Sequence, residues 1–537
     1  MVLSADRTPS ASPRWLLVLS VAPLVAILAA LYVVTPPSPD HAIFDYIGWR
    51  LVSGDRAYVD VIEQNWVGAM WLHAASTALF GNHLWSFRAF DLLLFATGAA
   101  ALVQLSRMAG STAAGWVVVP LYLVMYATEN HWFSGQRDIV AANLSLALVL
   151  LYWHGGRTRR WPLLMAAGAG LAFVVLIRPT FLLFPALLVA LDLLTLRGSG
   201  RTWRLALADA LLACAGAAVF FAAVALRGHV TGGLQGWIDA AVLFNVTSYS
   251  HSSSLAQVAA RIATAFADWH WLVVLALIGS GLLWVTPGAR RVLGVAVALI
   301  VTGVVSAAAQ GKGFQYHLGP CLPALVLPAA RALAWAAEQL RARPGAVPTA
   351  IGALMVVVAL AGSAKKVHGA LSHHAGYVTG RTSLLEFLDA MPVYQAADGV
   401  SVADAVRVAR YLRSNSRPED TVLVWSRAMV IHFLAERRSP LPFATVAALE
   451  TVGEAFPRRG AWLGSIDNAF ARQAPLYVVL SPPLSTHAQP GASAMPGATL
   501  SEAERKVLAA VRDAYVFETT IGQSKLYRLA GRPAAGR

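Results

Sequence analysis

Eleven apolar runs leave this chain few folds to choose from. They lie near residues 15–34, 89–106, 113–127, 138–154, 162–177, 180–195, 204–226, 271–286, 292–309, 319–337 and 347–364. The first is about long enough to cross a hydrocarbon core of roughly 30 Å. Backbone in lipid must pair its polar groups internally, so each run is expected to be a helix. Only 13% of the residues are charged and 57% are hydrophobic, against roughly 25% charged in a soluble domain. The deficit implies apolar surface facing lipid. A polytopic α-helical membrane protein of about 11 transmembrane helices is the predicted class.

The formal net charge of +14 would suit nucleic acid, but the arginines are placed otherwise. Arg7 and Arg14 precede the first run. Arg107, the Arg157/Arg159/Arg160 cluster, Arg197/Arg201/Arg204, Arg290/Arg291 and Arg341/Arg343 fall in every second loop on that same side. By the positive-inside rule this side is cytoplasmic, and nucleic acid is not an expected partner. The first run is expected to stay in place as a span, because no small-x-small cleavage site follows it. The outer side then carries 36–88, 128–137, the hairpin at Arg178, 227–270, 310–318 and everything after 365. The segment 227–270 reads as a re-entrant or surface helix pair. Cys214 and Cys321 sit in separate apolar runs and imply no disulfide framework.

From about residue 370 the composition becomes that of soluble protein. Helical patterns at 403–414, 427–436 and 501–514 alternate with strand patterns at 421–425, 476–481 and a pair within 515–529. Alternation of this kind predicts a small α/β domain. The expected division is a membrane domain, 1–369, and a soluble outer domain, 370–537.

The unusual polar residues gather on the outer side. Ser38-Pro39-Asp40 reads as a helix start, with a capping hydroxyl, proline at the first position and an acid in the first turn. Ile43, Phe44, Ile47 and Leu51 then share a face and Gly54 ends it, which predicts an amphipathic helix at the membrane surface with Asp40 at its positive end. Asp60 and Glu63 follow. The second outer loop holds Glu129, His131, Gln136, Arg137 and Asp138. Arg178 interrupts an apolar stretch, and Lys312, Tyr316 and His317 lie in QGKGFQYHLGP.

Each of these has a structural reading beside a chemical one. Asp40 caps a helix, Asp60 and Glu63 form a solvated loop face, and Arg137 pairs with Asp138. His131 and His317 are hydrogen-bonded spacers, and Arg178 and Lys312 snorkel to headgroups. What favours chemistry is that acids and cations from several loops reach one membrane face. Ionisable residues there are costly and are kept for a partner, cavity or ligand. Cations would stabilise the growing charge on a departing lipid phosphate, as would a metal ion, and a carboxylate would serve as base for an incoming hydroxyl.

The run from Asp40 to Val61 (DHAIFDYIGWRLVSGDRAYVDV) is followed by Asn65-Trp66, Trp71-Leu72-His73-Ala74, Leu79-Phe80-Gly81 and Arg88. Together these resemble the first outer loop of the glycosyltransferase C superfamily, among membrane enzymes akin to the aminoarabinose transferase of lipid A and the protein O-mannosyltransferases. The resemblance implies eleven to thirteen spans with surface helices in the first loop and an outer soluble domain. It gives Asp40 the place of the catalytic base, with His41 where a second acid is usual. Asp60 matches an acid after the loop glycine, Arg88 the arginine after Leu-Phe-Gly, and Gln136-Arg137-Asp138 a second acidic site. Gly311-Lys312-Gly313 with Tyr316-His317 resembles a late-loop motif near the lipid phosphate. Gln64-Asn65-Trp66-Val67 stands where many members carry a basic motif, so Arg178 or Lys312 is left to supply the phosphate-binding cation.

The expected function is inverting transfer of a sugar from a polyprenyl-phosphate donor to a hydroxyl of a cell-envelope lipid, glycan or protein, at the inner membrane of a bacterium. Asp40, Asp60 and Asp138 are the expected catalytic acids, and Arg178, Lys312, Tyr316 and His317 the donor-phosphate residues. His41, Glu63, Arg88, Glu129, His131 and Arg137 are expected to support the acceptor. A divalent metal ion, where one is used, falls to Asp40 and Asp138. A transporter or flippase of lipid-linked glycans is the alternative; it would need charges along a path or paired broken helices in two similar halves. A scaffold with a sensor-like outer domain is a third, and would tolerate loss of Asp40.

Overall fold

The computed structural model describes residues 14–129, 132–196, 202–249, 253–342, 345–390, 399–482, 484 and 500–532. Every apolar run is helical. In order they are α1 (Arg14–Val34), then, after two helices of the first loop, α2 (Pro39–Val52) and α3 (Val67–Phe80), α4 (Ser86–Met108), α5 (Thr112–Thr128), α6 (Arg137–Thr158), α7 (Trp161–Ile177) and α8 (Leu183–Leu194). Five more follow, over Trp203–Val230, His270–Val285, Arg290–Ala309, Cys321–Ala342 and Ala346–Val378.

Among the described residues, six helices are long and apolar enough to cross a membrane: α4, α6 and the helices beginning at Trp203, Arg290, Cys321 and Ala346. Two bent pairs raise the number to as many as eight. One is α1 with α2, bent by 74°, and the other is Leu255–Asp268 with His270–Val285, bent by 83°. The apolar helices α5, α7 and the stretch Pro179–Leu194 are shorter. The second bend lies in the segment expected to hold a re-entrant or surface pair. Ahead of it the chain winds into π-helical turns at Ile238–Leu243 and Asn245–Tyr249.

Small residues set the helix spacing in the bundle. A Cβ on Gly168 of α7 would stand 1.8 Å from the carbonyl oxygen of Ala213, and one on Gly216 would stand 2.1 Å from that of Met165. α7 and Trp203–Val230 therefore touch backbone to backbone, as small-residue interfaces allow in membranes. Both cysteines are free, Cys214 exposed and Cys321 buried.

The predicted C-terminal elements form a four-stranded sheet in the order β1-β2-β4-β3, with β1 (Val422–Trp425), β2 (Tyr477–Leu480), β3 (Tyr515–Ile521) and β4 (Ser524–Leu529). β1 and β2 are parallel and the other pairs antiparallel. This layer shares its core with the first loop: Phe44, Ile47, Tyr58, Val61 and Met70 pack in one cluster with Leu423, Trp425, Phe443 and Trp462. Ile62 and Phe443 add a backbone bridge. α2 is consequently no surface helix. Its expected inner face is covered, and so are His41, Asp45, Tyr46 and Arg50. Tyr46 stacks on His432 at 4.9 Å and accepts a hydrogen bond from the backbone of Ser439 at 2.9 Å. Periodicity shows one face of a helix, whereas here a layer 390 residues downstream covers the other.

Replacing Gly168 or Gly216 by valine should force the two helices apart and cost about 1–3 kcal/mol each. Thermal unfolding of the purified protein should show both variants melting earlier, with Cys214→Ser, a change at an exposed site, close to wild type.

Candidate active site beneath the first loop

A buried network fixes where the loops start. Arg88, fully enclosed in α4, donates to the backbone carbonyls of Ser134 (2.6 Å) and Pro36 (3.1 Å) and to the hydroxyl of Tyr32 (3.0 Å). Tyr32 and Tyr126 both donate to Asp91, the latter at 2.7 Å. Pro36 precedes α2 and Ser134 precedes α6, so one guanidinium sets both helix starts. At the first, Ser38 caps α2 by accepting from the backbone of His41 (3.3 Å), with Pro39 at the first position. Gln136 donates to the same Ser38 hydroxyl at 3.2 Å, which ties the second start to the first.

Asp40, in the first turn of α2, opens onto a cavity of about 410 Å³. Glu63, Asn65, Arg137, Arg178, Lys312, Tyr316 and His317 share its wall. Four separate loop stretches thus meet at one site. Asp138 lies just behind: it is fully buried and accepts from Arg178 Nε at 2.9 Å. The anticipated Arg137–Asp138 pair is replaced by this one. Arg137 turns to Asn65, to which it donates, and covers the ring of Phe44 at 5.2 Å. The other end of Arg178 donates to Gln310, itself donating to Ser306.

Lys312 stands between Gly311 and Gly313, whose φ angles of 63° and 61° suit glycine. That turn lifts the ammonium 3.5 Å from the centre of the Tyr249 ring. Burial, with the Arg137 and Arg178 charges, pulls the Lys312 ammonium down to about 8. Burial pushes the Glu63 carboxyl up to about 7, against the pull of Arg137. The expected solvated face is wrong for this residue: Glu63 is buried, with one oxygen accepting from Asn65 at 2.8 Å. Burial, then Arg178, Arg137 and Lys312, push the His317 imidazole far below its usual range, so it is neutral.

Several buried polar atoms of these residues have no hydrogen-bond partner among the described residues: Glu63 Oε2, Gln64 Oε1, Arg137 Nε, Asp138 Oδ2 and His317 Nδ1. Native interiors keep few such atoms, and a cluster of them around one cavity marks groups that a ligand would satisfy.

Other expected members lie elsewhere. Asp60 does not line the cavity; it closes its own turn, accepting from the backbone and side chain of Arg56, whose hydrogen bonds hold its carboxyl below the usual range. His41 is buried between the rings of Phe87 and His73. Arg88 acts from behind, through the backbone. Glu129 accepts from Lys366 (2.6 Å) and Trp269 (3.1 Å) beside a different cavity, and His131 lies outside the described residues. Sequence reasoning missed Gln310, Asn245, Tyr249 and Arg427, which also line the site. Gln310 directly precedes the Gly-Lys-Gly turn and was within reach. Arg427 comes from the C-terminal layer, and no local pattern announces it.

A divalent ion takes several oxygen ligands. Among the described residues no three of His, Cys, Asp and Glu gather to hold a metal, and Asp138 is engaged by Arg178. These residues do not fit the ion assigned to Asp40 and Asp138.

Removing the charge of Asp138 with Asp138→Asn leaves Arg178 buried and uncompensated. The loss should be about 3–5 kcal/mol, read as a lower unfolding midpoint, whereas Asp60→Asn should cost under about 1 kcal/mol.

No protein-family model matches the chain, and no curated protein matches it either. Solved structures do. ArnT from Cupriavidus metallidurans bound to undecaprenyl phosphate is 17% identical, covers 97% of this chain and 99% of its own, and superposes with a TM-score of 0.60. The apo form of the same protein is 16% identical over 96% and 98%, with a TM-score of 0.58. The likeness spans both the helical bundle and the C-terminal layer: this chain has the fold of ArnT.

Proposed function

We propose that the chain is an integral membrane glycosyltransferase that takes a sugar from a polyprenyl-phosphate donor and passes it to a hydroxyl acceptor at the cell envelope, with inversion. The observation that carries this reading is the composition of the 410 Å³ cavity. Cations from three separate stretches face carboxylates of the first loop, and unsatisfied polar atoms surround the space between them. The solved relative's undecaprenyl phosphate supports the donor class.

Roles follow from the partners each group already has. Asp138 half-neutralises Arg178, and Asn65 holds Arg137 by its amide. Lys312 has only the face of Tyr249. The three cations together are under-compensated, and a phosphate entering the cavity would relieve that at several oxygens. As the sugar–phosphate bond breaks, negative charge grows on the departing phosphate, and fixed cations stabilise that change more than they stabilise the intact donor. His317, neutral, offers a ring nitrogen without a cation. Asp40, at the start of α2 where the helix dipole favours a carboxylate, would accept the proton of the incoming hydroxyl. Attack from the side opposite the phosphate gives inversion. Tyr316 supports the wall beside Lys312, and Glu63 with Asn65 supports the sugar side. The termini are assigned by the arginine pattern: amino end cytoplasmic, C-terminal layer outside, in a bacterial inner membrane. In this reading residues 370–537 form an outer layer that closes the site from above, with Arg427 and Thr445 on its wall.

Transfer of labelled sugar from extracted polyprenyl-phosphate donors in reconstituted vesicles tests the reading. Asp40→Asn should lower the rate by about 10²–10⁴-fold while the donor still binds and the protein melts as wild type. Undiminished transfer would remove Asp40 from the chemistry, and glycan crossing the bilayer without transfer would install the transporter. A chelator should leave the wild-type rate unchanged.

Donor binding should depend on pH through Lys312. The ammonium is charged below about 8 and neutral above, so phosphate affinity is full below that value and declines as pH rises through it. Lys312→Arg, with a guanidinium that stays protonated, should hold the affinity to higher pH. Lys312→Gln should bind poorly at every pH.

A further inference from the structure

A second basic cavity, of about 550 Å³, lies at the far end of the bundle. α6 begins at the active site with Arg137 and ends here with Arg157; its 22 residues span about 33 Å at 1.5 Å each, close to one hydrocarbon thickness. The helix Arg290–Ala309 repeats the relation, with Arg291 on this cavity and Ala309 on the other. The two cavities therefore face opposite leaflets.

Arg157, Arg159 and Arg291 line this space with Trp153, and Met108, Leu150 and Leu205 supply an apolar wall. Arg291 stacks on Trp153 at 4.1 Å and donates to Asp192, which also accepts from the Trp153 indole at 3.2 Å. Arg159 pairs with Asp209 at 3.6 Å. Its φ of 57° is a left-handed value that glycine would take more cheaply; an arginine is kept there instead. Arg157 has no carboxylate partner among the described residues. Among the described residues, two carboxylates against the three guanidiniums of the cavity wall leave one positive charge over. Beside the cavity, Met108 is 44% exposed, so the apolar wall it forms with Leu150 and Leu205 continues to the outside of the bundle.

We infer that this cavity binds the headgroup of an anionic glycerophospholipid from the cytoplasmic leaflet. A phosphodiester carries one negative charge, which matches the excess. The volume suits a headgroup, and basic pockets between membrane helices on this side are known anionic-lipid sites. The wall of Met108, Leu150 and Leu205 is where an acyl chain would lie, which a free anion would not use. The inference does not rest on the proposed transferase activity.

The test uses the full chain in phosphatidylcholine nanodiscs with and without phosphatidylglycerol, and counts the lipid retained on release by native mass spectrometry. Wild type should retain phosphatidylglycerol selectively. Arg157→Gln combined with Arg159→Gln should weaken retention by about tenfold or more, since each surface cation near anionic lipid counts for about a factor of five. Arg290→Gln, on the same face but outside the cavity, should have no effect. Unchanged retention in the double variant, equal loss in Arg290→Gln, or displacement by inorganic phosphate at matched concentration would each overturn the inference. Should the double variant misfold, photoactivatable phosphatidylglycerol on wild type decides: crosslinks confined to 104–108, 150–157 and Leu205 support the site, and their absence rejects it.

Discussion

The guanidinium of Arg88 is the point on which the site's geometry turns. Charge inside a bundle is tolerated when it meets acceptors, and here these are the backbone carbonyls of two incoming loops and the Tyr32 hydroxyl. Pro36 and Ser134 are thereby fixed to one rigid group, and with them the starts of α2 and α6. Asp40 and Arg137 are each a few residues further on. Asp91, held by two tyrosines, supplies the countercharge without reaching the cavity. Precision at the site comes from a cluster that never touches it.

A second constraint is electrostatic. Three cations so close together would repel one another unless part of their charge were answered. Asp138 answers Arg178 from behind, out of reach of the cavity. Arg137 is steadied by a neutral amide and by the face of Phe44. Lys312 is left with an aromatic ring, and burial first, then the charges of Arg137 and Arg178, lowers its affinity for protons. The arrangement holds positive potential at one point while the protein itself stays folded.

What the sequence disclosed, and what it did not, follows from range. Helices were legible because lipid imposes local pairing: all eleven runs are helical, and Ser38-Pro39-Asp40 does start one. The short sheet was legible from alternating patterns within a few residues of each strand. The bends were not, because one such as that between α1 and α2 depends on tertiary contacts that periodicity does not encode. Partner choice was not either. Arg137 and Asp138 are adjacent in sequence, yet at the first turn of a helix their side chains diverge, and Asp138 meets Arg178 from forty residues away. Glu63 looked like loop surface because its cover, the C-terminal layer, is nearly four hundred residues distant.

That distant cover changes what the C-terminal layer is. A domain that merely hung outside would have its own core, separable from the loop beneath. Here Phe44 and Tyr58 of the loop sit in one cluster with Trp425 and Trp462 of the layer, and the layer also contributes Arg427 and Thr445 to the cavity wall. α2, carrying Asp40, is therefore clamped between membrane helices on one side and the sheet layer on the other. A helix with only its inner face buried would be free to rock at a bilayer surface; this one has no such freedom. The acid at its start can be held opposite cations drawn from the bundle because both its faces are packed, one by the bundle and the other by the layer.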